Sequence, residues 1–121
     1  MELELQKVSE DARGKIYILK YKGKEIAHLD LFNKSAPRGG HYHPSKEIIV
    51  VLEGELEYRE MDPKSERDEI RKDVRKGDII QVEPGKAHLF VAKTDSLLLG
   101  FRKGEYKSIT YEPYRKIVEV T

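Results

Sequence analysis

The chain has 121 residues, no cysteine, 37% charged residues and a formal net charge of +1. These numbers fit one domain spanning residues 1–121. They exclude a disulfide framework and thiolate chemistry, and they give no general basic surface for nucleic acid. No apolar run approaches the ~18 residues of a membrane span, and nothing at the N-terminus reads as a signal peptide, so a soluble, cytoplasmic protein without a membrane partner is expected. The charge is carried mostly by Lys, Arg and Glu, while Trp is absent and Asn and Gln are scarce, a thermophile-like composition.

In chain order, residues 1–13 read as an edge strand or arm, with Leu3, Leu5 and Val8 loosely spaced. Residues 15–21 and 25–32 are predicted strands joined by a turn at Lys22-Gly23. Residues 33–40 are a predicted loop containing Pro37 and two glycines. Residues 47–52 form a strand with apolar side chains on both faces: Ile49 and Val51 on the side of Glu47, and Ile48, Val50 and Leu52 on the other. Such a strand lies centrally, or is covered by another sheet or a partner. Gly54 turns the chain into a strand over 55–61, and a charged loop follows over 62–68. Short strands are then predicted over 69–74, 78–83, 87–93 and 96–103, separated by turns at Lys76-Gly77, Pro84-Gly85 and Thr94-Asp95. The charged stretch 62–76 has too few apolar residues for an amphipathic helix. Residues 106–120 read as one or two further strands, broken at Pro113. Many short strands at regular spacing, with no helix, predict an all-β sandwich or barrel.

The chemistry concentrates in His41-Tyr-His43-Pro-Ser-Lys-Glu47. On a strand His41 and His43 share a face, with Cα atoms about 6.6 Å apart, close enough for two imidazoles to converge on one ion. Glu47 would lie about 13 Å beyond on a straight strand, so it joins them only if the chain bends at Pro44-Ser45. The chain holds only four histidines. His88, behind a Pro84-Gly85 turn, is the candidate fourth ligand, and His28 is the remaining one. His28 shares a face with Ile26, Asp30 and Phe32. It is predicted to be a surface residue paired with Asp30, or in a sharper reading a general base at a pocket wall. Tyr58 is expected to pack inside, and Glu83 to stand on the rim.

The two histidine stretches together resemble the cupin superfamily. Its first motif, G-x5-H-x-H-x(3,4)-E-x6-G, is matched at His41, His43, Glu47 and Gly54, with Ser35 in place of the leading glycine. Its second, G-x5-P-x-G-x2-H-x3-N, is matched at Gly77, Gly85 and His88, with Glu83 and Ala92 at the departures. The resemblance implies a double-stranded β-helix, or jelly-roll barrel, with one divalent transition metal held by His41, His43, Glu47 and His88. Three imidazoles and a carboxylate suit Fe, Mn, Ni, Cu or Zn without choosing among them. The resemblance implies oxygenase, isomerase, epimerase or decarboxylase chemistry on a small polar molecule. The alternatives are a non-catalytic module that senses or binds a small ligand, and a metal-independent sugar-nucleotide isomerase or epimerase. No residue is singled out as catalytic. A homodimer is expected, because residues 47–52 and 97–99 carry apolar side chains on both faces and the terminal segments could extend a neighbour's sheet.

Overall fold

The computed structural model describes residues 2–102 and 107–119. Eleven strands and one helix follow in order: β1 (Leu3–Asp11), β2 (Gly14–Tyr21), β3 (Lys24–Phe32), β4 (Pro37–Tyr42), β5 (Glu47–Glu53), β6 (Glu55–Met61), β7 (Ile70–Arg75), β8 (Ile79–Val82), β9 (Ala87–Ala92), β10 (Ser96–Arg102), β11 (Ile109–Thr110) and α1 (Glu112–Glu119). They build two sheets, one in the order β1-β2-β3-β10-β5-β8 and the other β11-β4-β9-β6-β7. The paired strands run antiparallel throughout. This is the predicted all-β jelly roll.

Period-2 alternation explains the packing between the sheets. On β5, Glu47, Ile49 and Val51 are buried, while Ile48, Val50 and Leu52 are partly or fully open. The inner residues of both sheets meet in one apolar cluster that includes Phe32, Ile49, Val51, Leu56, Tyr58, Val74, Ile80, Phe90 and Leu98. Tyr58 packs there at 5.0 Å from the Phe90 ring, and its hydroxyl donates to Glu60 at 2.8 Å. The strand β5 is one strand in from the sheet edge, and among the described residues no other element covers its outer face. Ile48 is 39% exposed, Phe101 41% and Ile79 64%.

Two expectations are corrected. The stretch predicted as terminal strands contains a two-residue strand, β11, and then the helix α1; its end residues, Tyr106 and Val120, lie outside the described residues. Pro113 does not break this helix, because it stands in the first turn, where a backbone N–H has no partner within the helix. Tyr111, Tyr114 and Val118 recur at helical spacing and close over Ala87 and Leu89 on the outer face of the second sheet. The predicted loop over 33–40 is a loop only as far as Ala36, and β4 begins at Pro37. The charged stretch after β6 is, as expected, a loop and the edge strand β7. No helix among the described residues is long and apolar enough to cross a membrane.

Candidate metal centre

The strand β4 runs antiparallel to β9, and their register sets His41 directly opposite His88. His43 follows one residue after β4 ends, and the bend at Pro44 and Ser45 turns the chain into β5 at Glu47. The Gly85 amide donates to the His43 carbonyl at 2.8 Å, tying the Pro84-Gly85 turn to the bend. Gly85 has φ 79 and Ser35 has φ 74. Ser35, which stands where the motif has glycine, thus adopts the left-handed conformation that glycine takes most readily.

Three imidazoles converge as a result. The ring centroids of His41 and His43 lie 4.7 Å apart, those of His41 and His88 4.8 Å, and those of His43 and His88 5.4 Å. One potential ligand nitrogen from each falls within 4.8 Å of the others. His43 and His88 are buried at 3% and 4% exposure. Nδ1 of His43 lies 2.8 Å from the Lys107 carbonyl oxygen. A carbonyl only accepts, so Nδ1 carries the proton and Nε2 keeps the lone pair.

Glu47 reaches the cluster from the other sheet. Its Oε1 lies 3.9 Å from Nε2 of His88. That is too long for a hydrogen bond, but short enough for both atoms to bind one ion at ~2.1 Å each. Its Oε2 is held by Nε of Arg102 at 3.3 Å and faces Nε2 of His28 at 3.5 Å. The His28 contact is ionic rather than a well-formed hydrogen bond. The ring of His28 crosses the backbone of Gly100, its register partner on β10, where a Cβ would collide with it.

His28 departs from its expected position. It does pair with Asp30, Nδ1 to Oδ1 at 3.0 Å, but it is a buried residue of the cavity wall and not a surface one. Residues 28 and 30 point into a polar part of the barrel, a placement that β3 taken alone does not reveal. Glu83 is exposed, 3.7 Å from Lys46.

Burial sets the charge states. It pushes His41 down to about 3, helped by repulsion from His88 and His43, and it pushes His88 down to about 4. Both imidazoles are thus neutral near pH 7, as metal coordination requires. Burial opposes charge on His28 as well, but Asp30 and Glu47 outweigh it and hold this group up at about 10. Burial also disfavours the Glu47 carboxylate, yet His28, His88 and Arg102 bring it down to about 2. His88 Nδ1 is buried without a well-formed hydrogen bond, although the Lys86 backbone nearby favours a proton there. Three converging imidazoles, two of them held neutral by burial, facing an ionised carboxylate fit a divalent transition metal in charge and donor type.

The cluster opens into a cavity of about 640 Å³ whose wall includes His28, Asp30, Phe32, Arg38, Phe90 and Arg102. Arg38 and Arg102 are site residues that sequence reasoning missed. For Arg38 the only signal was its place three residues before the first histidine.

Residues 31–99 match the cupin domain. No curated protein matches the chain in sequence. Among solved structures, the chain is similar to the capsular polysaccharide assembling protein CapF of Staphylococcus aureus, with TM-score 0.73, 16% identity, 86% of this chain and 30% of that one. It is similar to the CENP-C cupin domain of Drosophila melanogaster, with TM-score 0.69, 20% identity, 83% of this chain and 76% of that one. It is also similar to the oxalate decarboxylase of Bacillus subtilis, described with Mn(II) centres, with TM-score 0.73, 19% identity, 88% of this chain and 30% of that one. The chain thus spans about three-tenths of the length of CapF and of the decarboxylase. At these identities the structural likeness speaks for the fold, and with the domain match over more than half of its length the chain belongs to the cupin family.

Proposed function

We propose that this cupin is a metal-dependent enzyme acting on a small polar molecule, with His41, His43, His88 and Glu47 holding one divalent transition-metal ion. The observation that carries this reading is the set of three imidazoles within 4.8 Å of one another, with Glu47 Oε1 facing them from the opposite sheet. The donor set admits Fe, Mn, Ni, Cu or Zn, and the Mn(II) centres of the similar decarboxylase make Mn a natural first metal to test. When bound, such an ion supplies Lewis acidity and open coordination positions for oxygen donors. The chain's own residues do the rest. The Lys107 carbonyl fixes the His43 tautomer. Arg102 and His28 keep Glu47 ionised and oriented. His28 holds a proton at the cavity wall, where a bound substrate could reach it. Elemental analysis of protein purified without a metal-affinity tag tests the reading. One ion per chain is expected in the wild type and little in His43→Ala; stoichiometric metal in that variant would overturn the ligand set.

One observation favours a second reading. The buried His28–Asp30 pair is a proton-transfer unit that needs no metal, as a sugar-nucleotide isomerase or epimerase would use. Full activity on a sugar nucleotide after metal stripping would establish that reading instead.

We also propose a homodimer. Its support is the apolar outer face of the six-stranded sheet, where Phe101 pairs with Ile48, and Val50 with Ile79. A monomeric mass by light scattering at micromolar concentration would remove it.

A further inference from the structure

The strand β2 turns two isoleucines inward. Ile16 and Ile18 alternate with Tyr17 and so share one face. In register they stand beside Asp30 and His28 of β3, and all four line the cavity. The edge strand β1 adds a third apolar side chain through an irregularity. Its ladder with β2 shifts between Lys7 and Ser9. The extra residue is Val8, which lines the cavity together with Ile16 and Ile18.

Phe32, Ile49 and Phe90 also line the cavity, but they belong to the apolar core between the sheets and are at most 4% exposed. The strip on β1 and β2 differs. Ile16 and Ile18 are half-buried and Val8 is 47% exposed, and among the described residues none of the three joins either apolar cluster. The strip lies on the two outermost strands at one end of the six-stranded sheet. The charged side chains at its border are engaged with one another: Arg13 Nη2 lies 2.6 Å from Asp11 Oδ2, and Arg102 Nη2 lies 3.9 Å from Glu25 Oε2. Water on such a strip yields to an apolar group. The three side chains offer a hydroxyl-rich group no hydrogen bond.

We propose that Val8, Ile16 and Ile18 form the seat for an aliphatic arm of the cavity's ligand, whose oxygen-donor head lies at the His41–His43–His88 cluster. The strand β2 is three strand spacings from β5, roughly 14 Å at ~4.8 Å each. Head and arm therefore belong to one molecule several carbons long, inside a cavity of about 640 Å³. This narrows the small polar molecule proposed above to an amphipathic one. The head half of the statement rests on the metal reading; the arm half does not.

Calorimetric titration of Mn(II)-loaded protein with acetohydroxamate, butanohydroxamate and hexanohydroxamate tests head and arm separately, because the three share a metal-binding head and differ only in chain length. Affinity is expected to rise about threefold per added methylene, slightly less than full burial of a methylene gives, so that hexanohydroxamate binds at least ~30-fold more tightly than acetohydroxamate. The double variant Ile16→Thr/Ile18→Thr keeps two β-branched strand formers. It is expected to lose at least ~10-fold for hexanohydroxamate and to bind acetohydroxamate, which has no arm to seat, within about threefold of wild type. Wild-type affinity that is flat with chain length, or a length dependence unchanged in the double variant, would overturn the proposal. Should the double variant fail to fold, Ile18→Thr decides alone: a loss of at least about threefold for hexanohydroxamate supports the seat, and wild-type affinity overturns it. Metal-free protein with labelled isoleucine methyls is titrated with hexanamide by NMR, and saturable shifts are expected at Ile16 and Ile18 that acetamide does not produce. Should the wild type take up no Mn(II), or bind none of the hydroxamates, the metal reading falls and hexanamide decides: those shifts keep the seat, and silence overturns it. Shifts that follow protein concentration and not hexanamide would assign the strip to a second copy of the chain and overturn the proposal.

Discussion

The two ends of the barrel interior are built on the same strands and hold opposite chemistry. On β5 the inward series runs Glu47, Ile49, Val51, and on β10 it runs Arg102, Gly100, Leu98. On β3 it runs His28, Asp30, Phe32. One end of each series carries charge into the cavity, and the other closes a dry cluster around Leu56, Tyr58 and Leu98. The dry end supplies the hydrophobic stabilisation. The polar end contributes buried ion pairs, which seldom stabilise on balance. The lesson is a division of labour along single strands: the ladder transmits rigidity from the apolar end to the end where side chains must be held for chemistry.

The largest break in this contrast should come at the dry end. Leu98 is 1% exposed, and Leu98→Ala should lower unfolding stability by about 2–5 kcal/mol through lost burial and a residual cavity. Urea denaturation measures this, and metal bound per folded chain should not change. At the polar end the pattern should reverse. Glu47→Gln should cost at least tenfold in metal affinity, since even outer-shell partners of a metal site are worth ~10–100-fold, and activity should recover in excess metal. Full occupancy with no turnover in Glu47→Gln would mean that the carboxylate works as an acid or base.

A subtler test uses pH on the metal-free protein. His41 and His88 refuse protons in the fold until about pH 3 and 4, whereas unfolded imidazoles take them up near 6.5. The unfolded chain therefore binds more protons between about 6.5 and 4, and stability should fall as pH drops through that window. His28 works the other way. It keeps its proton in the fold to about 10, so its contribution is complete below about 6.5 and is lost as pH rises toward 10. His28→Gln should flatten the alkaline limb and leave the acid limb in place, as followed by thermal melts across pH. The smallest effect on the interior should come from outside it. If the proposed homodimer forms through the open sheet face, Phe101→Lys should convert it to a monomer by light scattering, with metal content unchanged.

The candidate ligands were legible in the sequence because their spacing is local: His-x-His, a bend at Pro44-Ser45 and a Pro-Gly turn before His88. Most strands were legible for the same reason, since alternation and turn residues are written within a few positions. What stayed hidden depends on pairing between distant segments. The slip in the ladder between Gly39 and His41, which turns Arg38 inward, exists only relative to β9. The burial of His28 depends on Gly100 leaving room for its ring. Arg102 meets Glu47 only because β10 lies beside β5. The helix α1 is obscured for a different reason: Pro113 predicts a strand break, whereas the spacing of Tyr111, Tyr114 and Val118 is helical.

One contact has a consequence for how this site can vary among descendants. The proton on His43 is placed by the main-chain carbonyl of Lys107, which every amino acid supplies, proline included. The side chain at position 107 can therefore drift freely without altering the ligand's tautomer. A single-residue insertion or deletion between Arg102 and Lys107 would move the carbonyl itself. The constraint falls on the position of a carbonyl and not on the identity of the residue that carries it.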